Sequence, residues 1–239
     1  MSLTEYDGKY VRIRDVHGHD FTGRARYGNA NLLAYEWGVD EDGVFIGDAL
    51  IRNSQIDSIE EIAPHGTAEL WTEHLVLRRY RPDDAEQLHQ QFGSDPQMHE
   101  YSGWNPYRTL EMAQDTVRRF IDSYDRAYSY SWIMDANGDD VVAGTIGAYD
   151  YDDGQIEVGF SVGQAWQGRG FATEALKAVL SHLTKNEGIA CVTAWCAAEN
   201  ISLRKVLEKS GMQLVDTEKG GLTVDGRVYD KLIYEYRPA

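Results

Sequence analysis

The stretch Glu157-Val-Gly-Phe-Ser-Val-Gly-Gln-Ala-Trp-Gln-Gly-Arg-Gly-Phe-Ala172 decides how this chain is interpreted. Its first half is strand-like, and apolar residues recur at helical spacing from Phe171 onwards, so a short Gly-Arg-Gly loop joins a strand to a helix. Glycines let backbone amides approach a ligand, and the N–H groups at a helix N-terminus attract anions. The stretch therefore predicts a pyrophosphate-binding loop, to which Arg169 adds charge-assisted contacts.

Other glycine-containing loops fit this stretch less well. A Gly-x-Gly pair is also common in tight turns and is weak evidence on its own. A dinucleotide-binding loop needs a third glycine where this chain has Thr173, and antiparallel hairpins rather than parallel units precede the loop. The chain contains no Gly-Lys-Ser/Thr sequence, which excludes a P-loop.

The segments around the loop predict an α+β fold. Turns at Asn137-Gly138 and Asp153-Gly154 separate three strand-like segments, which predicts three hairpin-connected strands. Helical spacing is found on both sides of this region, and a final hairpin ends the chain. The expected strands are 75–78, 130–134, 141–149, 156–162, 190–196, 212–216 and 228–236; a helix start is expected at 81–85, and the helices expected in full are 109–124, 171–185 and 202–210.

Three ordered motifs resemble the GNAT superfamily of acetyl-CoA-dependent N-acetyltransferases. Gln167-x-x-Gly170-x-Ala172 is similar to the family's Gln/Arg-x-x-Gly-x-Gly/Ala signature, and the segment from Asn200 to Gly211-Met212 resembles its asparagine-bearing helix. The opening from Leu75 to Ala85 resembles the ribosomal-protein N-terminal acetyltransferase branch and its small-amine relatives. The resemblance covers residues 72–236 and implies a mixed, mostly antiparallel sheet flanked by helices.

The resemblance also implies a cofactor site for acetyl-CoA. The amides of residues 168–172 are expected to bind the coenzyme A pyrophosphate, and a distorted strand before the loop is expected to offer backbone N–H groups to the thioester carbonyl. Phe160 and Val162 lie in that strand, although ordinary core packing also explains them. The expected cofactor-binding residues are Phe160, Val162, Gln167, Gly168, Arg169, Gly170, Phe171, Ala172, Thr173 and Asn200.

The catalytic residues are less clearly marked. Glu157 interrupts an apolar strand and resembles a strand glutamate that takes the amine proton in some family members, so it is the expected general base; a surface carboxylate is the alternative. Many relatives carry a tyrosine where this chain has Leu207, and the branch often has a serine at the position of Leu203. Ser202 is displaced by one residue, about 100° around a helix, which favours a capping role for it over catalysis. Water, Ser202, or Tyr229 or Tyr234 in the last hairpin remain as proton donors.

The acceptor pocket is expected around Tyr101, Trp104 and Tyr149, because aromatic rings beside acidic residues can hold a cation. A cluster of this kind also occurs in protein cores and interfaces. No second ligand lies at metal-binding spacing from His99, so no metal site is expected.

Residues 1–66 predict a separate, small all-β unit, followed by the acetyltransferase domain at 67–239. Strand-like segments, among them 32–37, alternate with turn residues, and Ala63-Pro64-His65-Gly66-Thr67 is typical of a linker. The segment resembles a shortened Sm/Lsm-type SH3-like barrel through Gly8–Arg14, Asn31 and Arg52-Asn53. Its 6 basic and 12 acidic residues oppose RNA binding, which favours a docking or oligomerisation module.

Composition limits the partners of the chain. The net charge of −16 repels nucleic acids and anionic membranes and attracts cationic substrates, although acidic surfaces also simply favour solubility. No apolar run approaches the roughly 20 residues that span a bilayer and no signal peptide begins the chain, so a cytoplasmic protein with Cys191 and Cys196 as reduced thiols is expected. The expected partners are acetyl-CoA and a primary amine (a small cationic amine or a protein N-terminus), and a homo-oligomer through either domain stays open. A regulatory protein that binds acyl-CoA without turnover is the alternative.

Overall fold

A computed structural model describes residues 2–46, 49–62, 66–103 and 105–238. It groups the chain into two compact units, built chiefly from the segments before and after Thr67. The predicted linker residues Ala63, Pro64 and His65 lie outside the described residues.

The N-terminal unit contains a five-stranded antiparallel sheet in the order β4-β3-β2-β1-β5. Val11, Ile13 and Val44 are fully buried in its core. Short 3-10 turns at Leu3–Tyr6 and Asn53–Gln55 precede β1 and β5. The bounds are β1 Tyr10–Asp15, β2 Asp20–Gly28, α1 Ala30–Trp37, β3 Gly43–Ile46, β4 Ala49–Arg52 and β5 Ile56–Glu61.

The prediction that this unit is all-β is wrong for residues 32–37, which lie in helix α1. The Asn29 side chain caps the helix start by accepting a hydrogen bond from the Leu32 amide at 3.0 Å. Gly38 ends the helix in the left-handed conformation, at φ 66°. Leu33 is the buried residue of α1, so the helix shows no apolar stripe from which the sequence could reveal it.

The C-terminal unit contains an eight-stranded sheet in the order β12-β13-β11-β10-β9-β8-β7-β6, in which the β10–β11 pair is parallel and the others are antiparallel. The bounds of its first half are β6 Leu70–Trp71, β7 Leu75–Arg78, α2 Asp84–Phe92, α3 Gln97–Glu100, α4 Leu110–Ser123, β8 Tyr130–Ala136 and β9 Val142–Asp152. The second half consists of β10 Gln155–Val162, α5 Phe171–Lys185, β11 Cys191–Ala197, α6 Ile201–Lys209, β12 Gln213–Val224 and β13 Arg227–Tyr236.

The three hairpin-connected strands β8, β9 and β10, the three expected helices and the mixed sheet confirm the α+β prediction. Helix α5 buries Leu176, Val179, Leu180 and Leu183 against the sheet, as its spacing indicates. The last hairpin is longer than expected, because β12 extends to Val224.

A buried ion-pair network fixes the start of this unit. The Arg78 guanidinium on β7 donates to both Asp84 oxygens at 2.8 and 2.9 Å and to Asp135 Oδ2 at 3.0 Å. All three residues are at most 4% exposed, so β7, α2 and β8 are held together by charges that satisfy one another.

Cys191 and Cys196 are both buried and free, in agreement with the prediction of unbridged thiols. Burial raises the pKa of Cys196 to about 11, which keeps that thiol protonated and unreactive near neutral pH. Within the described ranges, no helix has both the length and the apolar character needed to cross a membrane.

Candidate active site

The sheet opens between β10 and β11. The parallel pairing joins Gln155 with Cys191, Ile156 with Val192 and Glu157 with Thr193, and then ends. β10 continues as far as Val162, paired with β9 on its other edge. Among the described residues, the edge of β10 beyond Glu157 has no strand partner, so its backbone polar groups are available to a ligand.

The glycine loop lies directly beyond this opening. Gly168 and Gly170 have φ of 75° and 87°, in the left-handed region that favours glycine. A Cβ added at either position would meet no atom within 4 Å, so both glycines border open space. Gln167 ties the loop to the strand, because its Nε2 donates to the Val162 carbonyl at 3.2 Å.

Helix α5 begins immediately after Gly170, as predicted. Its earliest backbone hydrogen bond runs from the Glu174 amide to the Gly170 carbonyl at 3.0 Å, so the amides of Phe171, Ala172 and Thr173 have no intrahelical acceptor. These amides and the helix dipole together form a site suited to a phosphate group.

A contact between α5 and the β6–β7 turn holds this helix start in place. Glu174 accepts hydrogen bonds from the Thr72 hydroxyl at 2.6 Å and from the His74 amide at 2.7 Å, and its second oxygen lies 3.0 Å from His74 Nδ1. Burial alone would raise the pKa of Glu174, but these hydrogen bonds outweigh it and hold the pKa below its ordinary value.

A cleft of about 680 Å³ runs along the opening, the loop and the start of α6. It brings together eleven of the predicted site residues, which are Tyr101, Phe160, Val162, Gln167, Gly168, Gly170, Phe171, Ala172, Thr173, Asn200 and Ser202. Its charged lining residues are Asp95, Glu100, Glu199, Lys205 and Lys209.

Arg169 does not line this cleft. Its guanidinium lies 4.8 Å from the centroid of the Trp166 ring, and the Trp166 ring in turn stacks on Phe171 at 5.7 Å. The predicted contact of Arg169 with phosphate is therefore not supported, because its guanidinium packs on the Trp166 ring instead.

Glu157 lies at the last paired position of β10, where the opening begins, and is half-buried. Its Oε1 accepts a hydrogen bond from Trp195 Nε1 at 3.0 Å. Tyr149 faces it across the β9–β10 pair, and Gly159 leaves room for the Tyr149 hydroxyl, since a Cβ there would lie 2.7 Å from that oxygen. Burial, and then the charge of Glu157 and a hydrogen bond with it, raise the pKa of Tyr149. Glu157, Tyr149 and Trp195 therefore form one hydrogen-bonded group at the edge of the opening.

The predicted aromatic cluster is present in part. Tyr101 packs edge-to-face against Tyr229, with 5.6 Å between ring centroids. Burial raises the pKa of Tyr101, with further contributions from Glu100, Tyr229 and Glu199, so two carboxylates and a second ring surround this tyrosine. Tyr229 and Tyr149 are outside the lining of the cleft, and Trp104 lies outside the described residues.

Asn200 rather than Ser202 caps α6. The Asn200 Oδ1 accepts from the Leu203 amide at 3.0 Å, while Ser202 is exposed and lines the cleft, so the sequence-based preference for Ser202 as a cap is wrong. Tyr234 is fully buried and donates to Glu208 Oε1 at 3.2 Å, away from the residues that line the cleft.

A comparison with known protein families identifies this arrangement. The model of the acetyltransferase (GNAT) domain matches residues 74–213, which is more than half of the chain. The chain belongs to the GNAT acetyltransferase family. The opened β10–β11 pair and the glycine loop both lie within the matched residues, and the protein is an acetyltransferase.

Relatives and solved structures agree with this assignment. A Bacillus licheniformis protein named uncharacterized N-acetyltransferase p20 is 28% identical over 174 residues, or 70% of this chain and 97% of that protein. A GNAT-family acetyltransferase structure from Bacillus anthracis aligns with a TM-score of 0.64 and 22% identity, over 71% of this chain and 98% of that one. A ribosomal L7/L12 α-N-protein acetyltransferase solved in complex with coenzyme A aligns with a TM-score of 0.65 and 18% identity, over 71% of this chain and 98% of that one. At these identities the two structures show a shared fold.

The residues of this GNAT site fit acetyl-CoA as the family's cosubstrate. Open space borders both loop glycines, the α5 amides provide neutral donors for a pyrophosphate, and Lys205 and Lys209 add positive charge in the same cleft.

Sequence reasoning missed four charged residues of the cleft, which are Asp95, Glu199, Lys205 and Lys209. Glu199 directly precedes the predicted Asn200, and the two lysines recur one helical turn apart after it. That spacing was a usable signal, because residues four apart share one face of a helix.

Proposed function

We propose that this acetyltransferase transfers the acetyl group of acetyl-CoA to a primary amine by direct attack in a ternary complex. The observation that carries the proposal is the continuous cleft, which joins the open edge of β10, the glycine loop at the α5 N-terminus and a group of acidic and aromatic residues. One end is suited to phosphates and the other to a cation, so donor and acceptor are able to bind together.

At the donor end, the chain supplies binding and orientation. Gly168, Gly170 and the first amides of α5 bind the pyrophosphate, and Asn200 lines the same wall. Acetyl-CoA supplies the activated acyl group when bound. The free edge of β10 near Phe160 and Val162 would offer backbone N–H groups to the thioester carbonyl and so stabilise the negative charge that develops on its oxygen.

At the acceptor end, the chain must remove a proton from the amine. Glu157 lies outside the residues that line the cleft, so it is proposed as the base acting through a water; it is an acceptor at the start of the opening and is held there by Trp195 and Tyr149. Ser202, which lines the cleft, is the proposed donor that returns a proton to the leaving thiolate, whereas Tyr229 packs against Tyr101 outside the lining and would act only through a water.

The acceptor is a primary amine that is cationic before reaction, either a small amine or a protein N-terminus. Glu100 and Glu199 beside the Tyr101 ring attract such a group by charge and by cation–π contact. The net charge of −16 raises its local concentration further.

The N-terminal unit is proposed as a separate domain and a variant of the Sm/Lsm-type SH3-like barrel. The order β4-β3-β2-β1-β5 of its meandering strands supports this, while the insertion of α1 between β2 and β3 departs from a plain barrel. Its 6 basic and 12 acidic residues support a role in docking or oligomerisation over RNA binding.

Thiol release from acetyl-CoA, measured against polyamines, aminoglycosides, amino acids and N-terminal peptides, tests the proposed function. We expect sustained release with one acceptor class and intersecting initial-velocity lines, which indicate a ternary complex. Parallel lines would contradict direct attack, and binding of acetyl-CoA without release for any amine would contradict the amine acceptor.

A further inference from the structure

Two lysines of the cleft add positive charge there but have not been assigned to a particular group of the cosubstrate. Lys205 and Lys209 lie one turn apart on α6, so they share one face of the helix, and both line the cleft. No ion pair with a carboxylate is found for either lysine within the described residues. In a chain with 39 acidic and 23 basic residues, two neighbouring lysines that pair with no carboxylate in the described part of the chain favour an anionic ligand.

The position of the lysines separates them from the pyrophosphate site. The pyrophosphate is assigned to the amides of α5, whereas the lysines lie on α6. At a helical rise of about 1.5 Å per residue, Lys205 and Lys209 lie roughly 8 and 14 Å beyond the Asn200 cap. Along α6 the two lysines therefore lie progressively farther from Glu199, which precedes the cap and neighbours Tyr101 at the acidic end of the cleft.

Coenzyme A carries a second anionic group, the 3′-phosphate on its ribose, apart from the pyrophosphate. We propose that Lys205 and Lys209 bind this 3′-phosphate and make the enzyme selective against cosubstrates that lack it. The inference rests on the proposed function, since it takes acetyl-CoA as the donor. A lysine ammonium binds phosphate as a compact point charge without a fixed geometry, which suits a group at the exposed rim of a cleft.

The test compares coenzyme A with dephospho-coenzyme A by calorimetric binding to the full chain. The variants are Lys205→Met/Lys209→Met and, as a matched control, Lys177→Met, which removes an exposed lysine of α5 outside the cleft. Methionine has nearly the helix propensity of lysine, so neither variant is expected to unfold. We expect the wild type and the control to prefer coenzyme A by about tenfold, a typical effect of two partly exposed charge-assisted contacts.

The double variant should lose this preference because its affinity for coenzyme A falls, while its affinity for dephospho-coenzyme A stays within about twofold of the wild-type value. If the double variant bound both ligands more weakly by the same factor, the lysines would be assigned to the pyrophosphate and the proposal would be overturned. A double variant that still preferred coenzyme A would also overturn it. If the wild type bound neither ligand, the proposed function itself would fail, which is a distinguishable result.

Discussion

Substitution of Gly170 tests the phosphate loop most sharply, because the structure separates the effects of shape and charge at this position. At φ 87°, any side chain costs about 1–2 kcal/mol of folding free energy through backbone strain. No atom lies within 4 Å of the added Cβ, so no clash with the protein adds to that cost. Gly170→Gln and Gly170→Glu should therefore lose similar stability and remain folded.

The two variants should differ in cosubstrate binding. A carboxylate about 5 Å from a phosphate charge repels it by about 3 kcal/mol at an effective dielectric constant of about 20, which is roughly a hundredfold in affinity. Acetyl-CoA affinity, measured by calorimetry on both variants, should thus be about a hundredfold weaker for Gly170→Glu than for Gly170→Gln. Thermal melts of the two variants control for folding.

The same affinity measurements at two salt concentrations test whether charge repulsion causes the difference between the variants. Raising the salt concentration should reduce the difference in acetyl-CoA affinity between the two variants, because partly exposed charges are screened. Acetyl-CoA affinities that agree within about threefold at low salt would refute the assignment of the pyrophosphate to the α5 N-terminus.

Three further changes test other parts of the site. Glu157→Gln should lower turnover by about a hundredfold and leave the KM for acetyl-CoA within about twofold; an unaltered pH–rate profile would remove Glu157 as the base. Asn200→Ala should lower the unfolding free energy by about 1 kcal/mol through loss of the α6 cap, whereas Ser202→Ala should not; equal denaturant midpoints for the two would contradict the cap. Because the folded-state pKa of Glu174 is lowered, its stabilisation is present above the ordinary value of 4.5 and disappears as pH falls below it. Glu174→Gln should therefore flatten the acid side of the stability profile, and an identical acid limb in both proteins would exclude this contribution.

Much of the C-terminal fold follows from local sequence patterns. The turns at Asn137-Gly138 and Asp153-Gly154 and the apolar spacing of α5 are local signals, so three strands and a helix were placed correctly. Helix α1 was missed because a single buried residue, Leu33, leaves no periodic stripe. Its signal was in the caps, Asn29 and Gly38, which outweigh weak periodicity in a short helix.

In the candidate site, too, features set by local sequence could be predicted and features set by tertiary packing could not. The glycine loop could be located because its function depends on backbone geometry, and Gly168 and Gly170 indicate that geometry in the sequence. The charged lining was not found, because the face that α6 turns to the cleft depends on packing against distant elements. Arg169 shows the converse: it lies within the loop in sequence, yet it does not line the cleft and instead packs on the ring of Trp166.

The most direct test of the central claim is to identify the acetylated product. The wild-type protein and Gly170→Glu would each be incubated with isotopically labelled acetyl-CoA and the best amine of the panel, and the amine would be analysed by mass spectrometry. The account predicts that the wild type places one labelled acetyl group on the amine nitrogen, in step with thiol release, and that Gly170→Glu forms almost none at the same cosubstrate concentration. Thiol release without a labelled amine, or equal product from both proteins, would contradict it.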